Sequence, residues 1–537
     1  MTGEPRVLVT GGDIVTLDPF RPRPEAMVVG NGHVLALGPR DELTSRWGGG
    51  ASRLDLDGRA LLPGFTDSHL HLLSYGLMLD QVQLAGCPSV RLMTELVAEG
   101  AAALAKDEWV LGRGWDQDLF AERRYPARGD LDPVTAGRPA LLTRGCGHCS
   151  VANSRALELA GITRDTIDPP GGRIERDPAT GEPTGVLHER AAGLVRSVIG
   201  DPGFGVKRRG LERAMGLALS AGLVAVHPDD VRSAGDAATA CNLYRELLPS
   251  LGGPRVRLDV SEFALDELLA SGLRTGSGDP MLSIGAVKLF VDGSLGARSA
   301  ALTRPYADDP GQSGIVVQER SAFMGQVRRA HAHGLQVAIH AIGDLAVDWS
   351  LDAIEAAQQA GPAWEPRHRV VHVQITRPDQ PPRFAALGAV AEIQPKFVTT
   401  DKLWVDARVG PERARTSYCW KTLLDAGVHC AGGSDGPVEP LHPLLGLYAA
   451  VTRQGLDGQP AGGWYPDQRL SVEQALRLFT LGGAYAGHSE QWRGSLSPGK
   501  AADFVLLDRA PDRVDPGSIK DLAVLATYIG GRCVFEA

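Results

Sequence analysis

The sequence predicts an α/β protein: a (β/α)8 TIM barrel with a small β-sandwich domain formed from both chain ends and a large insertion after barrel strand 1. Three observations carry this reading. Eight short apolar segments, each ending in polar residues, alternate with helix-like stretches through the middle of the chain, as in a parallel sheet. Both ends of the chain instead read as strands punctuated by Gly-rich turns. About 150 residues separate the first middle strand from the second, too many for a structureless loop.

The N-terminal strands are Val7-Leu-Val-Thr10, Ile14-Val-Thr-Leu17, Ala26-Met-Val-Val29 and His33-Val-Leu-Ala-Leu37. The C-terminal ones are Phe504-Val-Leu-Leu507, residues 522–528 and Cys533-Val-Phe535. The ends of a domain tend to lie close together, so residues 1–62 and 490–537 are expected to build one β-sandwich. The barrel, residues 63–489, has strand candidates at 61–67, 223–227, 256–260, 284–290, 336–340, 369–372, 389–394 and 428–432. Helices lie between most of them, as at 322–333 and 347–359. Residues 80–205, rich in Arg, Gly and Pro, are expected to form an inserted subdomain covering the barrel mouth. The chemistry of such a barrel sits at the C-terminal strand ends.

A net charge of −9 argues against nucleic acid or an anionic membrane as the main partner. No apolar run approaches the roughly 18 residues a membrane span requires. The segment Met1 to Thr10 lacks the basic start and apolar core of a secretory signal. Seven scattered cysteines suit reduced thiols better than a disulfide framework. The expectation is a cytoplasmic protein whose partner is a small-molecule substrate, with a homodimer left open.

His69 and His71 stand one residue apart at the end of the first barrel strand, so strand alternation turns them to one face. Lys288 lies in the fourth candidate, one of only eight lysines among 55 basic residues. His340 ends the fifth, His372 the sixth, and Asp435 follows the eighth. In a barrel these strand ends ring one axis. Imidazole and carboxylate are ordinary Zn²⁺ ligands, at about 2.0–2.2 Å. A lysine ammonium cannot ligate a cation, but its carbamate, formed with CO2, is a bidentate anion able to bridge two metals about 3.5–4 Å apart. Desolvation in an apolar strand lowers the amine pKa and assists that reaction.

These segments resemble the amidohydrolase superfamily, and within it the YtcJ-like group of amidohydrolase family 3 that includes N-substituted formamide deformylases. The resemblance covers nearly the whole chain. It runs from Leu62-Pro-Gly-Phe-Thr-Asp-Ser-His-Leu-His71 through Gly112-Arg-Gly-Trp-Asp116, Asn153-Ser-Arg-Ala-Leu157 and Lys288-Leu-Phe-Val-Asp-Gly-Ser-Leu-Gly-Ala-Arg298. His340-Ala-Ile-Gly-Asp344, Gly433-Ser-Asp-Gly-Pro437 and the late segment from Gly494 to Phe504 follow. The resemblance implies a metal set of His69, His71, Lys288, His340, His372 and Asp435, with Asp435 also the catalytic base. It implies one or two divalent ions, most readily Zn²⁺, and hydrolysis of a non-peptide C–N bond in an amide or cyclic amide. Trp115, Asp116 and Arg298 are implied pocket residues, and His148, in the Cys146–Cys149 loop, is expected to face substrate. Two departures stand out: Val371 precedes His372 where the family often has Glu, and Gln394-Pro-Lys-Phe397 lacks the histidine often found at Lys396 or Phe397.

Rival readings are open on the residues alone. Gly432-Gly-Ser-Asp-Gly436 fits the G-x-S-x-G elbow of serine hydrolases, with Ser434 as nucleophile. His442 is too close in sequence, and His488 too near a Gly-rich segment, to make a convincing partner. A deaminase or isomerase on the same metal site is another option. His227, ending the second strand, reads equally as a contact or a structural histidine and stays outside the metal set. Cys146-Gly-His-Cys149 is a single C-x-x-C pair, weak for zinc, and reads as a tight loop.

Overall fold

A computed structural model describes residues 6–105 and 108–537. Eight parallel strands run in sequential order around the barrel. They are β1 (Phe65–Leu70), β2 (Leu223–Pro228), β3 (Arg255–Ser261), β4 (Leu282–Phe290), β5 (Val337–Ala341), β6 (Arg369–His372), β7 (Val390–Ile393) and β8 (Cys430–Gly432). Between β8 and β1 the ring is joined above the strand ends. The Asp435 N–H donates to the His69 carbonyl at 2.8 Å and the His71 N–H to the Gly436 carbonyl at 2.7 Å. Helices such as Phe204–Ser220, Arg320–Ala332 and Asp344–Ala360 pack outside, their apolar stripes against Val, Ile and Leu of the strands.

The first strand differs from its expected span of 61–67. Residues Ala60–Pro63 pair instead with Phe504–Leu507, in a sheet of the terminal domain. Pro63 ends that ladder, having no N–H to donate. At Gly64 the backbone passes so close to Val224 that a Cβ would lie 2.2 Å from its side chain, and the barrel strand begins one residue later.

The terminal domain is a sandwich of two sheets. One is Arg6–Thr10, Ala26–Gly30, His33–Gly38 and Ala51–Asp55; the other is Asp13–Ile14, Ala60–Pro63, Phe504–Leu507, Val524–Ile529 and Arg532–Glu536. Val9, Met27 and Val29 of the first pack against Leu61, Phe504 and Leu506 of the second. Between β1 and β2 the chain builds a six-stranded sheet spanning residues 82–189, with its own apolar cores. Asn153 works here as a helix cap: its Oδ1 accepts the Ala156 N–H at 2.9 Å, and its amide donates to Thr135 and Arg138. No helix among the described residues is long and apolar enough to cross a membrane.

One buried group at the foot of the barrel makes stability depend on acid. His368 is fully buried, its Nδ1 accepting the Val337 N–H at 3.1 Å and its Nε2 3.0 Å from His331. Burial, then the neighbouring His331, pushes His368 down to about 3. Below pH 6.5 the unfolded chain takes up a proton that the folded chain refuses, so stability falls as pH drops from 6.5 towards 3. Between pH 7 and pH 5 this group is expected to cost about 2 kcal/mol. Urea unfolding at the two pH values should show a drop smaller by that amount in His368→Asn; an equal drop would remove His368 as the cause.

Candidate metal centre

The six residues expected at the strand ends converge. His69 and His71 turn the same way, and His69 Nε2 and His71 Nε2 stand 3.4 and 3.3 Å from Asp435 Oδ1. Lys288 is fully buried on β4, its Nζ 3.2 Å from His69 Nε2 and 3.6 Å from Asp229 Oδ2. His340 on β5 and His372 on β6 bring Nδ1 and Nε2 to 3.0 Å of each other. The His69 and His372 rings are 5.7 Å apart centre to centre, so the two groups form one cluster. His372 (φ 81°) and Asp435 (φ 56°) both hold left-handed backbone, a strain that folds keep mainly at working sites.

Contacts behind the rings fix which nitrogen carries the proton. His71 Nδ1 lies 3.0 Å from the Asp229 carbonyl, His340 Nε2 3.1 Å from the Gly293 carbonyl, and His372 Nδ1 2.8 Å from Gln394 Oε1. A backbone carbonyl only accepts, so His71 Nδ1 and His340 Nε2 donate, leaving His71 Nε2 and His340 Nδ1 with bare lone pairs. His340 therefore aims a lone pair at His372 Nε2 across 3.0 Å, and His71 aims one at a carboxylate. Acceptors facing acceptors repel unless a cation lies between them. Two nitrogens on one tetrahedral Zn²⁺ would be about 3.3 Å apart. The donor set thus fits a divalent metal at His69, His71 and Asp435, with Lys288 beside His69.

The electrostatics agree with that chemistry. Burial, then nearby cationic groups, holds His69 and His340 well below the usual histidine value, and burial brings His372 to about 4. These rings are neutral at pH 7, the form that ligates a metal. Burial raises Asp435, while the side chains of His71, His372 and Lys288, when they carry protons, lower it by more and hold the carboxyl below its usual value. Asp435 is therefore ionised at neutral pH.

The cluster floors a cavity of about 840 Å³, walled on one side by Arg113, Cys146, His148 and Glu189 of the inserted sheet. A side lobe of about 420 Å³ shares His148, His340 and Asp435 and adds apolar wall from Tyr75, Leu295, Phe397 and Trp404. His148 faces both, as expected, with its Nδ1 2.8 Å from Glu189. Burial lowers this imidazole, but the Glu189 carboxylate outweighs it and lifts His148 to about 9. Asp116 lines the side lobe, paired to Arg144 at 2.6 Å.

Two expected pocket residues are elsewhere. Trp115 is fully buried in the core of the inserted sheet, its indole N–H spent on the Leu142 carbonyl at 2.9 Å. Strand alternation sends Asp116 and Trp115 in different directions, and adjacency in the motif misled. Arg298 lines neither lobe; it is held sideways by Asp308 at 3.2 and 2.8 Å. Phe397, not Lys396, occupies the place beside the metal cluster where a histidine was missing: it stacks on His372 at 6.1 Å, while Lys396 turns away to Glu439 at 2.8 Å. Val371 packs with Ala286 and Ala338 and lines neither lobe. Ser434 Oγ accepts the Gly436 N–H, and among the described residues no histidine hydrogen-bonds to it, so the elbow lacks its base. His227 sits at the barrel floor against Arg369, apart from the cluster.

Arg113, Glu189, Asp229 and Gln394 were not singled out from sequence. Gln394 stood in a quoted motif at a strand end, which was a usable signal. Asp229 follows His227-Pro228 at the end of β2, the same position in its strand that was searched in the others.

A parallel barrel with imidazoles, carboxylate and buried lysine gathered at its strand ends defines the class: a TIM-barrel hydrolase suited to a divalent metal. Within that class the chain belongs to the amidohydrolase family, whose sequence profile matches residues 53–535. It is 36% identical over 529 residues to the Bacillus subtilis (strain 168) protein named "Putative amidohydrolase YtcJ", covering 98% of each chain. It is 29% identical to the N-substituted formamide deformylase of Arthrobacter pascens, covering 100% of this chain and 99% of that one. The crystal structure of an uncharacterized metal-dependent hydrolase from Pyrococcus horikoshii superposes with a TM-score of 0.75 at 32% identity, over 95% of this chain and 99% of that one.

Proposed function

We propose that this protein hydrolyses a non-peptide C–N bond, in an amide or cyclic amide of a small molecule, with a divalent metal held by His69, His71, Lys288, His340, His372 and Asp435. The observation that carries it is the gathering of imidazole nitrogens, with His340 Nδ1 and His372 Nε2 3.0 Å apart, beside a carboxylate–histidine pair whose facing atoms are both acceptors. The nitrogen-rich donor set favours Zn²⁺ over Mg²⁺ or Ca²⁺, which take oxygen ligands. Lys288 would join the set as its carbamate, formed when the neutral amine nitrogen bonds to the carbon of CO2 and loses a proton, and would supply an anion to the metal. Seven cysteines without a disulfide fit a reducing cytoplasm.

When bound, the metal polarises the scissile carbonyl and makes water acidic enough to attack near neutral pH. The chain supplies the proton handling. Asp435, ionised at neutral pH, takes the proton of the attacking water and passes it to the leaving nitrogen. His148, held in place by Glu189, faces the cavity and positions the substrate. The apolar side lobe takes the substrate's hydrocarbon part.

Elemental analysis of the purified protein, with an activity screen of N-formyl, N-acyl and cyclic amides, tests this. One or two equivalents of divalent metal are expected, with hydrolysis of one amide class abolished by chelation and restored by Zn²⁺. Turnover that survives metal removal, or that a serine-directed reagent stops, would overturn the reading. Release of ammonia from an amino-purine or triazine, with no amide cleaved, would transfer the site to deamination.

A further inference from the structure

We propose that the opposite end of the barrel holds a second ligand site, for an oxyanion of the phosphate or sulfate type. A chamber of about 300 Å³ opens there among residues 225–227 of β2, the starts of β3 and β4 and the segment after helix Gly483–Ala486. Three basic side chains line it, each more than nine-tenths buried: Arg257, Arg493 and His227.

Their donors lack acceptors. Arg257 leaves Nε and Nη2 without a partner, and among the described residues neither Arg257 nor Arg493 joins an ion pair. Arg493 gives one N–H to Thr66 Oγ1 at 2.8 Å. His227 Nδ1 lies 3.4 Å from Arg369 Nη1 and can only accept from it, so its Nε2 carries the hydrogen, and that nitrogen too has no partner. The nearby carboxylates are committed elsewhere. Asp503 clamps Arg255 at 2.8 and 3.0 Å, and Asp259 and Glu392 hold Arg369. Asp279, which lines the chamber, spends Oδ1 on the Met281 and Leu282 N–H groups at 2.7 and 3.0 Å, and among the described residues its Oδ2 pairs with neither arginine. Burial is the largest influence on both and takes Arg257 down to about 9 and Arg493 to about 10, against the opposing charges of Asp259 on the first and Asp503 and Glu490 on the second.

Burying a guanidinium without acceptors is costly, and a tetrahedral oxyanion supplies several at once. The chamber has room for a phosphate and some water. One glycine keeps that room. A Cβ at Gly487 would stand 3.0 Å from His227 Nε2 and 3.2 Å from Arg257 Cδ, although its φ of −91° suits any residue. A Cβ there would press on His227 and Arg257, so space, not conformation, favours glycine.

Calorimetric titration of the metal-loaded protein with potassium phosphate, against potassium chloride, tests the site. One saturable site is expected, weakened at least tenfold in Arg257→Met and in Gly487→Ala, with metal content unchanged in both. If Arg257→Met does not fold, Gly487→Ala and Arg493→Gln carry the comparison. Competition by glycerol 3-phosphate would show that the chamber admits a phosphate ester; competition by sulfate alone would show that it takes only the free ion. No saturable binding up to about millimolar phosphate would mean that water alone fills the chamber. Equal binding by wild type and variants would place the phosphate at the metal centre or surface. Either result overturns the proposal.

Discussion

Lys288→Ala is expected to lower kcat/KM by about 10³-fold, some 4 kcal/mol of transition-state stabilisation, and to lose much of the bound metal. Lys288 is fully buried, with Nζ 3.2 Å from His69 Nε2. An ammonium there would repel a cation, whereas a carbamate would supply the anion that His340 and His372 lack. Alanine leaves a gap of the right size and no charge. A short carboxylate such as acetate or propionate, added at high concentration, is therefore expected to return part of the activity in a saturable way. Wild-type protein exchanged into isotopically labelled bicarbonate should show a carbamate carbon by NMR, and Lys288→Ala should not. A variant that keeps full activity and metal content would remove the lysine from the site.

Asp435→Asn is expected to cut kcat by about 10²–10⁴-fold, the span of a lost general base, while metal content falls far less than in Lys288→Ala. Asn keeps the volume and one acceptor oxygen but cannot take a proton. The left-handed backbone at Asp435 favours this replacement, since Asn tolerates that conformation better than most residues. In wild type the acid limb of the kcat profile should reflect protonation of the Asp435 carboxylate. Activity should therefore hold as pH falls until that group is protonated, and Asp435→Asn should lack this limb. Full activity in Asp435→Asn with intact metal would assign the base elsewhere.

Much of the architecture was legible because it is written locally. Alternation of apolar strands and amphipathic helices is a property of neighbouring residues, and it marked eight parallel strands and the polar residues that end them. The pair His69 and His71 was legible for the same reason, since strand period alone turns them to one face. The start of β1 was misplaced because the continuous apolar run from Leu61 onward hides a change of sheet at Pro63 and Gly64. That change is decided by Phe504–Leu507, more than 400 residues away.

What the sequence determined by itself was the inventory and its order: which strands end in imidazole, lysine or carboxylate. The tertiary structure alone decided what those residues face. Tautomers follow from carbonyls at Asp229 and Gly293, and the cavity wall comes from a sheet inserted between β1 and β2. Trp115 and Arg298 left the pocket because each found a nearer partner, Leu142 and Asp308. Side-chain direction at a barrel rim depends on contacts between distant segments, and no local period in the chain encodes them.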